Sequence, residues 1–248
     1  MDAEVGRLGW MHVFVDVPAS AATATRAFWS AVLGWPVGEP WAEHPEFVSL
    51  VPPEGDPYVH VQEIGGPSRV HVDVVVADLD AARDEVREMG AQTGLRTPWW
   101  QVMTSPGGLP FCLCREPGRH RRPAATIWPD GHRTRLLHAC LDVPAGGYDV
   151  EETFWQRLTG WPLTAGVRHR EFARLDCPDD APLNLLLQRL ESYDPATTTR
   201  AHLDLGTDDM AAETRRIEAL GGRCLDTTHP WSVLQDPAGL PFCVVPRA

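Results

Sequence analysis

Imidazole, carboxylate and guanidinium groups recur in this chain at a fixed spacing, and a thiol follows each recurrence. Arg69, His71 and Asp73 stand in RVHVDVVV, and Arg200, His202 and Asp204 stand in RAHLDLGT. Earlier in each half, His12 and Asp16 lie in WMHVFVDV, and His138 and Asp142 in LLHACLDV. Later, PFCLC carries Cys112 and PFCVV carries Cys243. Histidine exchanges protons near neutral pH and ligates metals. Carboxylates pair with cations, and an ionised thiol is a ligand or a nucleophile. Groups two residues apart can act together only if the backbone turns them to one side.

The apolar residues between them supply that condition. Val70, Val72 and Val74 alternate with Arg69, His71 and Asp73; Ala201, Leu203 and Leu205 alternate with Arg200, His202 and Asp204. Period-two alternation makes a half-buried strand with one apolar and one polar face. The first strands alternate likewise, with His12, Phe14 and Asp16 on one face and His138, Cys140 and Asp142 on the equivalent one. After each R-x-H-x-D the period becomes helical, through Leu79, Ala82, Val86 and Met89, and through Met210, Thr214, Ile217 and Leu220. Asp78 and Asp209 can cap these helices, and Gly90 and Gly221 suit the position past their ends. The helix must cover the apolar face. The polar face then meets water or lines a cavity. Four acids there, Asp16, Asp73, Asp142 and Asp204, need partners or water; Arg69 and Arg200 are the expected partners. A histidine on such a wall can equally be satisfied by a neighbour such as Asp16 or Asp73.

Matched positions lie 126 apart early (His12 and His138, Trp29 and Trp155) and 131 apart later (His71 and His202, Cys112 and Cys243). The chain of 248 residues is therefore a tandem duplication whose copies differ by five residues. Domains are expected over 1–116 and 134–248. The Pro-, Gly- and Arg-containing stretch 117–133 reads as a linker, and Arg119 to Arg122 as a solvated patch. A net charge of -12 argues against nucleic acid and an anionic membrane surface. No stretch has the apolar length of a signal peptide or a membrane span. Six scattered cysteines do not form a disulfide framework. Cytoplasmic, reduced thiols are the expectation.

Within each half the elements read strand, helix, three strands, twice over. The helices ending in FWSAVLGW and FWQRLTGW bury Phe28, Trp29, Val32 and Leu33 or their counterparts, and the paired tryptophans read as core. PYVHVQEI and PLNLLLQRL add strands that set His60 and Gln62, then Leu186 and Gln188, on one face. Turns at Pro106–Gly108 and Pro237–Gly239 close the final hairpins.

Four such units, with FW-x-x-x-x-GWP, R-x-H-x-D and W-x-V-x-x-[SD]-P-x-G-L-P-F-C each present twice, resemble the vicinal oxygen chelate superfamily and its glyoxalase-like domain branch. The superfamily includes glyoxalase I, extradiol dioxygenases, fosfomycin-resistance enzymes and bleomycin-binding proteins. The resemblance implies an α+β fold of four βαβββ modules, each pair a curved, partly open mixed barrel with helices outside and a site on the concave side. It implies metal ligands at His12 and His71, or His138 and His202, with a final-strand Glu. That last position holds Cys112 and Cys243. A fourth ligand would come from the strand of Gln62 or Gln188.

Two His with a carboxylate suit iron(II) or another divalent ion; two His with a thiolate favour zinc or copper. Cysteine is also commonly a small buried hydrophobe. The preferred reading is that neither half holds a conventional catalytic metal. The chain then binds a small, aromatic or planar organic molecule in a polar cavity lined by His12, Phe14, Asp16, His60, Gln62, Arg69, His71, Asp73 and Cys112. The second half offers His138, Cys140, Asp142, Gln188, Arg200, His202, Asp204 and Cys243. The alternatives are a lyase, isomerase or dioxygenase using a divalent metal (zinc, iron or another) on His12, His71 and Cys112 or on His138, His202 and Cys243, and a structural or partner-binding protein. As an oligomer, a monomer with paired domains and a homodimer both fit. The halves should differ. His60 against Leu186 makes the first wall more polar. Phe14 against Cys140 and Val75 against Gly206 make the second cavity roomier.

Overall fold

A computed structural model describes residues 7–116, 118 and 120–247, the first two of these as backbone alone. Arg119 of the basic patch and Pro117 of the linker stretch lie outside the described residues. Each half has the element order its periodicities dictate. The first runs β1 (Arg7–Pro18), α1 (Ala19–Leu33), β2 (Val37–Pro40), β3 (Phe47–Leu50), β4 (Val59–Ile64), then β5 (Arg69–Val76), α2 (Leu79–Glu88), β6 (Gln92–Arg96), β7 (Trp100–Thr104) and β8 (Pro110–Cys114). The second runs β10 (Arg133–Val143), α3 (Tyr148–Thr159), β11 (Leu163–Ala165), β12 (Phe172–Leu175), β13 (Asn184–Arg189), then β14 (Arg200–Thr207), α4 (Met210–Ala219), β15 (Arg223–Asp226), β16 (Ser232–Gln235) and β17 (Pro241–Pro246). These are the tandem βαβββ modules.

The strands form two mixed sheets, in the orders β2-β3-β4-β1-β5-β8-β7-β6 and β11-β12-β13-β10-β14-β17-β16-β15. Neither order closes on itself. β1 runs parallel to β4 and β5 parallel to β8, while the hairpins are antiparallel. The stretch read as a linker contains a short strand, β9 (Thr126–Ile127), antiparallel to the start of β10. Composition could not show it, because its partner is the strand that follows.

By density of contacts the chain divides into two compact units, Met1–His12 with His71–His120 and Ala139–Ala201, and Val13–Val70 with Arg121–His138 and His202–Ala248. Within each unit a helix of one half meets the final hairpin of the other. In the second unit Phe28 and Trp29 of α1 pack edge-on against Phe242 of β17, ring centres 6.0 and 5.1 Å away. In the first, Phe154 and Trp155 of α3 meet Phe111 of β8 at 5.7 and 5.2 Å. The tryptophans are core as expected, with Trp29, Trp35, Trp155 and Trp161 all buried.

Local signals also hold. Asp78 accepts the amides of Asp80 and Ala81, and Asp209 that of Ala212. Gly34 and Gly160 end α1 and α3 at φ 71° and 68°, a conformation other residues rarely adopt. Two expectations fail. Leu220, assigned to the stripe of α4, is exposed, and Glu213 is fully buried in that helix instead. Gly206 does not make the second cavity roomier: a Cβ there would stand 2.1 Å from Leu137 Cδ1, so the leucine already fills the space.

Candidate functional site

The polar faces of the first strands are buried. In the first half, His12, Phe14, Asp16, His60, His71, Asp73 and Cys112 are all buried, while Gln62 is half-buried and Arg69 exposed. Strand pairing arranges them in rows. Phe14 on β1 stands opposite His60 on β4, which stands opposite Ser49 on β3; Asp16, Gln62 and Phe47 form the next row. The Phe14 ring stacks on His60 (centres 4.6 Å apart, planes 28°) and meets Phe47 edge-on at 5.8 Å. Trp41 completes this wall, 5.0 Å from Phe47 and 5.5 Å from His60. The Trp41 indole N–H donates to Ser49 Oγ at 3.0 Å, and that hydroxyl lies 2.9 Å from His60 Nδ1. The wall therefore has polar anchors as well as π-faces. Trp41 and Ser49 carried no signal in the sequence, since a turn and the short strand β3, second from the sheet edge, bring them in.

The acids find partners. Arg69 Nε donates to Asp16 at 2.8 Å, and Arg200 Nε lies 3.5 Å from Asp142. Asp73 and Asp204 turn instead to histidines. His71 Nε2 is 3.3 Å from Asp73 Oδ1; His138 Nδ1 is 3.0 Å from Asp204 Oδ2, and His202 Nε2 is 3.3 Å from its other oxygen. Burial works against the Asp204 charge, but hydrogen bonds from His138 and His202 win and hold its carboxyl well below the usual range. Cys243 Sγ lies 3.6 Å from His202 Nε2, and Cys140 is fully buried on β10. Gln188, half-buried, pairs across the strands with Phe172, and Leu186 with Arg174. The second half thus has no ring at the His60 position.

A conventional superfamily metal would need His12, His71 and a final-strand carboxylate. His12 Nε2 is 2.7 Å from Glu116 Oε2, and that contact, foremost, lowers the Glu116 pKa. Nothing in the sequence marked Glu116, which follows β8 rather than lying in it. Cys112 fills the carboxylate position, and burial, helped by the nearby Asp73 charge, pushes its thiol up to about 12 against an opposing hydrogen bond with His71. Two sets of donor atoms converge among the described residues, those of His71, Asp73 and Cys112 and those of Cys140, His202 and Asp204, each within 4.8 Å of one another; neither His12 nor His138 joins such a group. The residues present do not fit the conventional donor set.

An open cleft of about 450 Å³ lies elsewhere, between α4 and residues 227–232, where His229 stacks on Trp231 at 4.9 Å. Sequence reasoning did not find it. Among the described residues no helix is long and apolar enough to cross a membrane.

Solved structures share this fold. The Mn(II)-bound glyoxalase from Novosphingobium aromaticivorans matches with a TM-score of 0.68 at 16% identity, over 97% of this chain and 82% of that one. The 2,3-dioxygenase LapB from Pseudomonas sp. KL28 matches with 0.63 at 12%, over 98% and 94%. BphC, a halotolerant catechol dioxygenase, matches with 0.61 at 15%, over 98% and 88%. At such identities the likeness is one of fold. No curated protein matches the chain. The model of the glyoxalase-like domain matches residues 12–114 and again 138–245. With two matched repeats in four βαβββ modules, the chain belongs to the glyoxalase-like domain family, in tandem.

Proposed function

We propose that this protein binds a small planar organic molecule on the polar sheet face of its first half, without the conventional metal of its superfamily. The observation that carries this is the wall of Phe14, His60, Phe47 and Trp41, rings with hydrogen-bonding groups set among them. Aromatic side chains offer a large apolar area at low entropic cost, and offset or edge-on ring pairs are worth about 0.5–1.5 kcal/mol each beyond burial. The functional domains proposed are 1–116 and 134–248, joined through 117–133, with ligand recognition in the first. A reduced, cytoplasmic setting fits the six free cysteines of the chain.

The test is isothermal titration of the full chain, after exhaustive chelation, with catechol, indole and quinoline. Saturable binding of at least one, weakened in Phe14→Ala and in Trp41→Ala, is expected. Binding that appears only when a divalent ion is restored would replace this reading with the metal-dependent one, a lyase, isomerase or dioxygenase acting on vicinal oxygens. The convergence of His71, Asp73 and Cys112 is the observation that favours that second reading.

A further inference from the structure

The duplication supplies a reference for the open cleft beside α4. A shift of 131 residues carries α2 and the β6–β7 hairpin onto α4 and the β15–β16 hairpin without a gap. In the first half long side chains bridge this place. Arg83 of α2 reaches Asp80 at 2.8 Å and Asp84 at 2.9 Å, and Arg96 at the end of β6 meets Asp80 at 3.1 Å. Gln101, buried, donates its amide to the carbonyls of Gly94 and Leu95. Helix and hairpin are joined there around one carboxylate.

In the second half each of these groups is shortened. Ala211 stands for Asp80, Thr214 for Arg83, Thr227 for Arg96 and Ser232 for Gln101. What remains is the cleft of about 450 Å³, lined by those four with Met210, Arg215, His229, Pro230 and Trp231. The charge changes sign as well, since Asp84 becomes Arg215 and Pro98 becomes His229. Arg215 is exposed and pairs with no carboxylate among the described residues, whereas Arg83 holds its counterpart Asp84. His229 lies 3.5 Å from Asp226 and flat on Trp231, the ring planes 9° apart. Thr214 donates to Ser232 Oγ at 3.3 Å, so the Ser232 hydroxyl keeps its own proton to donate.

A guanidinium is a planar fork that matches a carboxylate. Beside it Trp231, Met210 and Pro230 offer apolar surface to a flat organic body. One unpaired guanidinium suits a monoanion better than a phosphate, which carries more charge. We propose that this cleft binds a planar aromatic carboxylate, its anion on Arg215 with the Thr214 and Ser232 hydroxyls alongside, and its ring against Trp231 and Met210. The lining comes from α4 and residues 227–232, and none of it from Phe14, His60 or Trp41. This site and the aromatic wall can therefore fail separately.

The probe is 1-naphthoate, titrated calorimetrically into the full chain after chelation, with 1-naphthamide as its neutral counterpart. The expected result is a saturable naphthoate component that naphthamide reproduces roughly tenfold or more weakly, as loss of a charge-assisted pair requires. Arg215→Asp restores the first-half residue at an exposed position and should weaken that component by at least about tenfold. Ala211→Asp with Thr214→Arg rebuilds the first-half bridge across the cleft and should abolish it. Trp41→Ala, in the aromatic wall, should leave it unchanged. Circular dichroism checks folding, and Arg215→Asp carries the test if the double variant does not fold. No saturable component, equal binding of naphthamide, or a component that survives Arg215→Asp or is weakened by Trp41→Ala overturns the proposal.

Discussion

The indole N–H of Trp29 donates to Asp236 Oδ2 at 3.0 Å, across 207 residues of chain, and neither group is exposed. Asp236 also accepts the amides of Ala238 and Leu240, so one carboxylate ties helix α1 to the last hairpin. In the other unit the same links are made with the charge on the opposite side. Glu151, on α3, accepts from Trp155 Nε1 at 2.9 Å and from the Gly107 amide at 2.7 Å, and the Asp236 position is Ser105. Thr25 stands where Glu151 does. The carboxylate has been exchanged between helix and turn.

Asp236→Ser should therefore destabilise the protein by about 3 kcal/mol, since it strands a buried indole N–H and turn amides. Thr25→Glu in addition reproduces the arrangement of the other unit and should restore at least roughly half of the loss. Urea unfolding of the two single variants and the double variant measures this. A double variant no more stable than Asp236→Ser would show that the two units are not built alike.

This exchange marks the boundary of what the sequence makes legible. Alternation around His71 and His202, the caps at Asp78 and Asp209, and the motif ending at Cys112 and Cys243 are local, and they were enough for element order and family. The partner of each element is not local. No periodicity says that Trp29 rests on Phe242, or that Phe111 receives Trp155. The polar faces were legible as faces, and the pairing of Asp16 with Arg69 followed from them. The turn of His12 to Glu116 and of His138 to Asp204 did not, because a side chain chooses among neighbours that only the packed sheet supplies.

Gly206 illustrates the same limit and gives a second expectation. Small where the first half has Val75, it is already overlaid by Leu137. Gly206→Ala should cost about 1–3 kcal/mol by overpacking. Leu137→Ala in the same chain should remove most of that penalty. Thermal unfolding of the pair decides it; equal penalties with and without Leu137 would place the strain in the backbone instead.

His132 joins the 117–133 stretch to α4. Its Nε2 lies 2.8 Å from the buried Glu213 carboxylate, and Asp130 meets its other nitrogen. Arg216 grips Glu213 as well, donates to the carbonyls of Ala31 and Val32, and lies over the Trp128 ring. Burial opposes the imidazolium charge, but Glu213 and Asp130 outweigh it and raise the His132 pKa above 6.5. The folded state then holds a proton that the unfolded state releases. Its stabilising contribution is complete below pH 6.5 and disappears as pH rises through the elevated value. Urea midpoints from about pH 6 to about pH 9 should fall in the wild type and fall less in His132→Gln. Parallel curves would remove His132 from the account.

The last expectation separates the halves by their ligand walls. Trp41 is among the more exposed aromatic groups of the chain, so Trp41→Ala should change unfolding free energy by less than about 1 kcal/mol. It should nevertheless weaken a planar ligand by about threefold to tenfold, the equivalent of one ring contact. His60→Leu makes the first half resemble the second, where Leu186 holds the position, and should weaken binding further by breaking the bond to Ser49. Arg174, which pairs with Leu186 on the second sheet, is exposed and tied to Asp176. Arg174→Ala should therefore leave the titration unaltered. Titrations of the three variants against the wild type, each at its own saturating range, read this directly. Equal losses on substituting Trp41 and Arg174 would mean that both halves hold the ligand alike, and the aromatic wall would lose its claim to be the site.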